Sequence, residues 1–381
     1  MLISPFWLVG WAIFLSWCWL LPNHYPPWSS FHMDAWAASM MVPMAGVVLW
    51  RTRADQLGPC SAIVVLGVCL IPWSQYAIGL IQLAGTAWLS FAYLLGLAVS
   101  MLVGYRWERG SPAQAGDGLF LAIGIAAFGS IGLQLHQWLQ LNWIDTWSMG
   151  NGYGRPFANF GQPNQLGTFL LWSVLAIGWA ACRRHIRPTI AIFATVFVLF
   201  GVALTASRTA WIGVSGLVAA AWYWRALWPR RGSAWVATGL AICFFFFVWA
   251  IPAASQFLLL STTEGDMEAL ARLSSELRPR VWALFMDALT HNPWLGYGWN
   301  QVATAQLAVA TEHPPLAVQF SHAHNLFIDL LIWNGIPLGL TLSGLIVFWM
   351  WHGFRAVRDP ESALMFLALA VIGNHAMLEL P

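Results

Sequence analysis

The chain has 381 residues, of which 59% are hydrophobic and 8% charged, with a formal net charge of +2. A soluble domain usually carries about 25% charged residues; water cannot solvate a surface this poor in charge, so lipid must. There is no lysine and no basic tract, which argues against nucleic acid as a partner.

Crossing ~30 Å of hydrocarbon takes ~20 apolar residues in a helix. In chain order such runs fall at about 4–21, 33–50, 59–76, 86–104, 118–139, 166–182, 189–206, 210–224, 235–253, 325–351 and 362–381. The expectation is an all-α polytopic membrane protein of about eleven transmembrane helices. Residues 1–140 supply N-terminal transmembrane helices, and 141–381 a second region with a large helical external loop over 254–324. The first run lacks a positive flank and a small-residue cleavage site, so it reads as a retained helix. The 27 Trp suit helix ends at the headgroups. Cys18, Cys60, Cys69, Cys182 and Cys243 lie in or beside apolar runs without metal or disulfide spacing, and read as small apolar residues.

Alternate loops hold Arg51 and Arg53; Arg106 and Arg109; Arg183, Arg184 and Arg187; Arg225, Arg230 and Arg231; Arg355 and Arg358. The positive-inside rule makes that side cytoplasmic, with the N-terminus. Arg155, Arg208, Arg272, Arg278 and Arg280 remain on the far side, to be explained by headgroups, local ion pairs or an anionic substrate.

Polar residues gather at four external helix starts. Asn164 and Gln165 close the amide-rich run 159–167, ahead of a helix expected near Leu166. Such amides cap helices, or bind sugar hydroxyls or a peptide. Arg208 sits in the tight turn between two spans. Pro279 suits a first helical position, so a helix is expected from there to about Thr290, with Val281, Leu284, Phe285 and Ala288 on one apolar stripe. Arg280 then lies in its first turn, and the helix rests on the membrane surface. His291-Asn292-Pro293 stops it, and Gly296 and Gly298 form a turn. Glu276 is near enough to pair with Arg278 or Arg280, and Glu268 with Arg272. His324 and Asn325 open the helix over 325–351. His322 and His324 are open to three readings: a metal site with His313, structural histidines, or a catalytic base. An arginine at a helix N-terminus opposes the helix dipole and makes sense if an anion such as phosphate lies there. The run 374–381 puts polar groups where the last helix meets the outer face, and the natural chain is expected to continue beyond Pro381.

Four runs together resemble the O-antigen ligase superfamily, and more closely its PglL-type branch of bacterial protein O-oligosaccharyltransferases. They are Phe160-Gly161-Gln162-Pro163-Asn164-Gln165-Leu166-Gly167, Ser207-Arg208-Thr209-Ala210, Arg280-Val281-Trp282 with Asn292-Pro293-Trp294-Leu295-Gly296-Tyr297-Gly298, and His322-Ala323-His324-Asn325. They occur in family order over about 150–381. The resemblance implies a GT-C-like, metal-independent transferase without a cofactor. It would move an oligosaccharide from undecaprenyl diphosphate to Ser or Thr of pilin or another exported protein, at the periplasmic face of a bacterial inner membrane. Arg208 and Arg280 would hold the diphosphate and His324 would be the catalytic histidine. Gln162 and Gln165 would lie near acceptor or sugar; Asn164, His322 and Arg278 complete the expected binding set. Two other acceptors stay open: lipid A-core, as in an O-antigen ligase, and a growing repeat-unit chain, as in a polymerase. A transporter for an anionic or lipid-linked substrate is the alternative outside enzymes, although its polar groups are expected near the bilayer midplane.

Overall fold

A computed structural model describes the chain except residues 1, 25–27, 53–57, 142, 149–154, 261–263, 317 and 380–381. Of 145 and 264–277 it describes the backbone alone. Arg53, Leu380 and Pro381, and the side chains of Glu268, Arg272 and Glu276, therefore lie outside the described residues. Lipid offers the backbone no hydrogen-bond partner, so a spanning segment must close its own ladder as a helix. The described residues form helices and no strand, so the chain is an all-α polytopic membrane protein. Eight of the helices are long and apolar enough to cross a bilayer. The chain divides into two compact units.

The first unit covers 1–51, 107–267 and 357–375. It contains α1 (Pro5–Leu20), α2 (Phe31–Arg51), α6 (Gln114–Trp138), α7 (Pro163–Cys182), α8 (Pro188–Leu204), α9 (Arg208–Tyr223), α10 (Ser233–Phe257) and most of α14 (Pro360–Leu378). α1 packs on α2 and α6, α6 on α7 and α8, α7 on α9, and α10 on α8 and α9. Proline at the first position starts α1, α7 and α8, where its missing N–H costs nothing. Asp117 of α6 takes hydrogen bonds from Trp179 and Arg183, and Arg183 also approaches Glu361 at 3.8 Å.

The second unit covers 52–106, 268–356 and 376–381. It contains α3 (Cys60–Val68), α4 (Leu70–Ala77), most of α5 (Ala84–Gly110), most of α11 (Glu264–His291), α12 (Val302–Ala308) and α13 (Leu326–Ala356). The single span expected over 59–76 is there as Cys60–Ala77, in which α3 and α4 meet at Cys69 with helical backbone angles. α11 does not begin at Pro279: it starts at Glu264 and runs through the proline. Proline tolerated a first-turn assignment, but a helix interior accepts it where one carbonyl can go without its N–H partner. The expected stripe is real, for Val281, Leu284, Phe285 and Ala288 are all buried in one core with Tyr297, Val302, Ala305 and Val309.

α13 breaks at Gly335, whose φ of 73° and ψ of 175° no helix contains. The run after α11 docks into that break. The Tyr297 and Gly298 N–H groups donate to the carbonyls of Ile332 and Trp333, and the Ile336 N–H donates to Pro293. Gln75 of α4 donates to the Trp333 carbonyl and accepts from the Trp299 N–H. The Asn292–Gly298 motif is thus a backbone plug that replaces hydrogen bonds lost at the kink. A Cβ on Gly296 (φ +67°) would stand 2.4 Å from the Ile332 carbonyl oxygen and 2.5 Å from the Gly335 nitrogen. Gly296→Ala is expected to cost at least ~2 kcal/mol through the positive φ and the backbone clash. The check is thermal unfolding in detergent, where an unchanged midpoint would contradict this role.

Candidate functional site

In the first unit the amide run and the Arg208 turn are built against each other. Gln162 is the N-cap position of α7 but its side chain makes no capping bond. Its Oε1 is buried without a hydrogen-bond partner among the described residues. Asn164 and Gln165 lie inside the first turn of α7, not ahead of it. Asn164 is not a cap: its Oδ1 accepts from Arg155 Nη2 at 3.2 Å. Arg155 also donates to the carbonyls of Thr205 and Ala206, at 3.0 and 3.3 Å. One guanidinium therefore ties the start of α7 to the turn before α9. Gly167 permits the approach, because a Cβ there would already touch Ala210, Thr205 and Ser207.

Ser207 caps α9 by accepting from the Ala210 N–H, and it is fully buried. Ala206 before it has φ +47°. Arg208 is the first residue of α9, exposed, and makes no hydrogen bond or ion pair with any described residue. It thus adds a free cation to a helix N-terminus, against the helix dipole. The Asn374 amide donates to the Thr209 carbonyl, and the Thr168 hydroxyl bonds His375 Nδ1 at 2.9 Å, so the end of α14 joins the same wall.

The second unit gathers Arg278, the histidine run and the chain's last described residues. Arg278 pairs with Glu379 at 2.7 Å; Glu379 is nearly buried, at 5% side-chain exposure. The expected pairing of Glu276 with Arg278 or Arg280 falls on a side chain outside the described residues; the carboxylate described against Arg278 is Glu379, 101 residues away. Arg280 is in the interior of α11, not its first turn, so the expected helix N-terminus at this arginine does not exist. It is exposed and, like Arg208, has no partner among the described residues. Trp282, one turn from Arg278, donates its indole N–H to the Ala323 carbonyl.

The Ala323 N–H in turn donates to Asp329 Oδ1 at 2.8 Å, and Asp329 is wholly buried. His322 Nδ1 stands 3.8 Å from the other Asp329 oxygen. Asn325, not His324, caps α13, accepting from the N–H groups of Phe327 and Ile328. Its amide also donates to the Met377 carbonyl. His324 lies just before the cap with φ +55°, a left-handed conformation that costs a non-glycine residue free energy and often marks a working position. His313 does not join His322 and His324: it bonds Asp287 at 2.9 Å, and the three histidines form no ligand group among the described residues.

Burial holds both histidines below the ordinary imidazole value, His324 lowering His322 further. For His324, Glu379 raises the value in opposition, Arg278 lowers it, and a hydrogen bond with the Glu379 backbone raises it. His324 Nδ1 makes no hydrogen bond with any described residue. The ring is thus neutral at pH 7 with one nitrogen uncommitted, the state a proton acceptor requires. Asp329 and Glu379 were not read from the sequence as site residues. A lone acid in an otherwise apolar span is the signal by which Asp329 could have been found.

Residues 193–343, which include both unpaired arginines and both histidines, match the family model described as O-antigen ligase. Residues 156–181, the amide run and most of α7, match the model described as protein glycosylation ligase. The chain is 30% identical over 97% of its length to the general O-oligosaccharyltransferase of Acinetobacter baylyi. It belongs to the O-antigen ligase superfamily, with the PglL-type protein O-oligosaccharyltransferases. A second relative in this family, the ComP-specific O-oligosaccharyltransferase of the same organism, is 27% identical over 60% of the chain. The chain spans 66% of the first relative's length and 41% of the second's. No solved structure matches it.

Proposed function

We propose that the protein is a glycosyltransferase, a protein O-oligosaccharyltransferase of the periplasmic face of a bacterial inner membrane. Its donor is an oligosaccharide on undecaprenyl diphosphate and its acceptor a Ser or Thr of pilin or another exported protein. The observation that carries this reading is the contrast among the arginines. Arg155 and Arg278 are committed to partners, whereas Arg208 and Arg280, both within the residues that match the O-antigen ligase model, have none among the described residues. An uncompensated guanidinium beside lipid is unfavourable unless an anion completes it.

In the reaction, the acceptor oxygen bonds to the anomeric carbon and the bond from that carbon to the diphosphate breaks. Undecaprenyl diphosphate leaves with the electron pair, and the hydroxyl proton passes to His324. Negative charge grows on the leaving oxygens, where Arg208 and Arg280 stabilise it. Gln162 and Gln165, whose side chains keep polar atoms uncommitted, contact sugar or acceptor. Asp329 holds the histidine run by its backbone, and Arg155 holds the turn that presents Arg208.

The acid limb of the rate profile follows from His324. A base works when neutral, and the lowered value keeps it neutral at pH 7, so the rate is expected to fall only below the ordinary imidazole value of about 6.5. Glu379→Gln removes the charge that favours the imidazolium and is expected to move the limb to lower pH. Arg278→Gln is expected to move it to higher pH, by less, since Arg278 is 37% exposed and partly screened. Rate–pH curves of the three proteins test this; shifts of the same sign would contradict it.

The acceptor class is tested with purified full-length protein in detergent, lipid-linked oligosaccharide, and either an exported Ser/Thr protein or lipid A-core. Glycan on the protein alone is expected. Glycan on lipid A-core alone would make the chain an O-antigen ligase.

A further inference from the structure

A group of metal-ligating side chains lies at the C-terminal end of α11, built from residues other than those proposed for transfer. We infer that Asp287, His291 and Glu312 form a divalent-cation site of the zinc class, with His313 outside the ligand set and bonded to the Asp287 carboxylate. Asp287 and His291 are four apart on α11 and so share one helix face. Glu312 and His313 are adjacent in the turn that follows α12. Ligand atoms of Asp287, His291 and Glu312 all lie within 4.8 Å of one another. His291 Nε2 is 3.7 Å from Glu312 Oε2, and His313 Nε2 is 2.9 Å from Asp287 Oδ2.

Ligands at ~2.0–2.1 Å from a tetrahedral zinc sit about 3.3 Å from one another. His291 Nε2 and Glu312 Oε2 are close to that spacing, the three ligand atoms stay within 4.8 Å, and water completes the four. One imidazole with two carboxylates is a donor set that zinc accepts, whereas magnesium and calcium take oxygen ligands. The ligands are also held in place from below. Ala288 on α11 and Val309, just before the Glu312 turn, are fully buried in the same core. The Glu312 N–H donates to the Val309 carbonyl, which closes the turn. Two segments fixed by one core therefore present their ligands before any ion arrives, and such preorganisation favours binding.

The ion clips residues 312–313 to α11, at the start of the segment that continues to His322 and His324. Its role is to fasten that segment, and it touches no atom of the proposed reaction. Metal binding to the native chain alone raises stability by mass action.

The test uses the full-length protein in detergent, stripped with chelator, desalted, and titrated with Zn²⁺ alone by calorimetry. The expected result is one strong site with a Kd on the order of 1 μM or tighter. Asp287→Asn and His291→Ala are each expected to weaken it at least about tenfold. Glu312→Gln, an exposed and nearly isosteric change, serves as a variant that keeps the fold and is expected to weaken binding as well. Co²⁺ in place of Zn²⁺ is expected to give the intense visible absorption of four-coordinate cobalt in the wild type and to lose it in His291→Ala. Equal Zn²⁺ affinity in the wild type and all three variants would overturn the site, as would absence of a strong site in the wild type. Cobalt absorption unaffected by His291→Ala would do the same.

Discussion

His324→Ala is expected to lower oligosaccharide transfer by about 10²–10⁴-fold, the usual contribution of a general base. The protein should still fold and bind lipid-linked donor, because the ring's role in the structure is small. The turn that carries it is held by its neighbours: Ala323 bonds Asp329 and Trp282, and Asn325 caps α13. His322→Ala is expected to be milder. His322 faces the buried Asp329 carboxylate and adds support to the turn, whereas His324 Nδ1 has no hydrogen-bond partner among the described residues. Transfer, donor binding and thermal unfolding of both variants separate these roles. A well-folded His324→Ala protein with wild-type transfer would remove the residue from the mechanism. Equal loss of folded protein in both variants would assign the pair to structure.

Arg208→Ala and Arg280→Ala are each expected to lower transfer by at least ~100-fold, the scale of losing one donor to the developing charge. Neither arginine pairs with another described side chain, so neither substitution strands a buried partner and folding should survive. Lysine is expected to restore activity only in part, since an ammonium keeps the charge but lacks the planar fork that grips a phosphate through two bonds. Arg155→Ala provides a contrast: it breaks three hydrogen bonds that join α7 to the Arg208 turn, so stability and transfer should fall together. Wild-type rates in Arg208→Ala and Arg280→Ala at equal expression would refute the diphosphate role.

Among the described residues the eleven apolar runs lie on helices, eight of which are long and apolar enough to cross a bilayer, because hydrocarbon leaves a spanning backbone no other choice. What hydropathy misses is a defect inside a span. The break at Gly335 leaves apolar content unchanged, and the plug from Asn292–Gly298 that repairs it comes from a distant segment. Pro279 misled for a related reason, since proline fits a first turn and an interior kink alike and only the preceding residues decide. Motifs made Gln162, Arg208, Arg280 and His324 visible, because each sits in a local run of recognisable type. Glu379 and Asp329 were less legible. Their meaning depends on partners: Arg278 lies 101 residues from Glu379, while the Ala323 amide reaches Asp329 only because the chain turns at His324.

The most direct measurement of the central claim is a product balance with the purified full-length protein, lipid-linked oligosaccharide and a Ser/Thr-bearing exported acceptor. Undecaprenyl diphosphate released and glycan attached to the acceptor are quantified in the same reaction, by lipid chromatography and intact protein mass. The account predicts equal amounts of both, with both lost in His324→Ala. Release of the diphosphate lipid without glycan on the acceptor, or movement of the donor across vesicles with neither product, would contradict it.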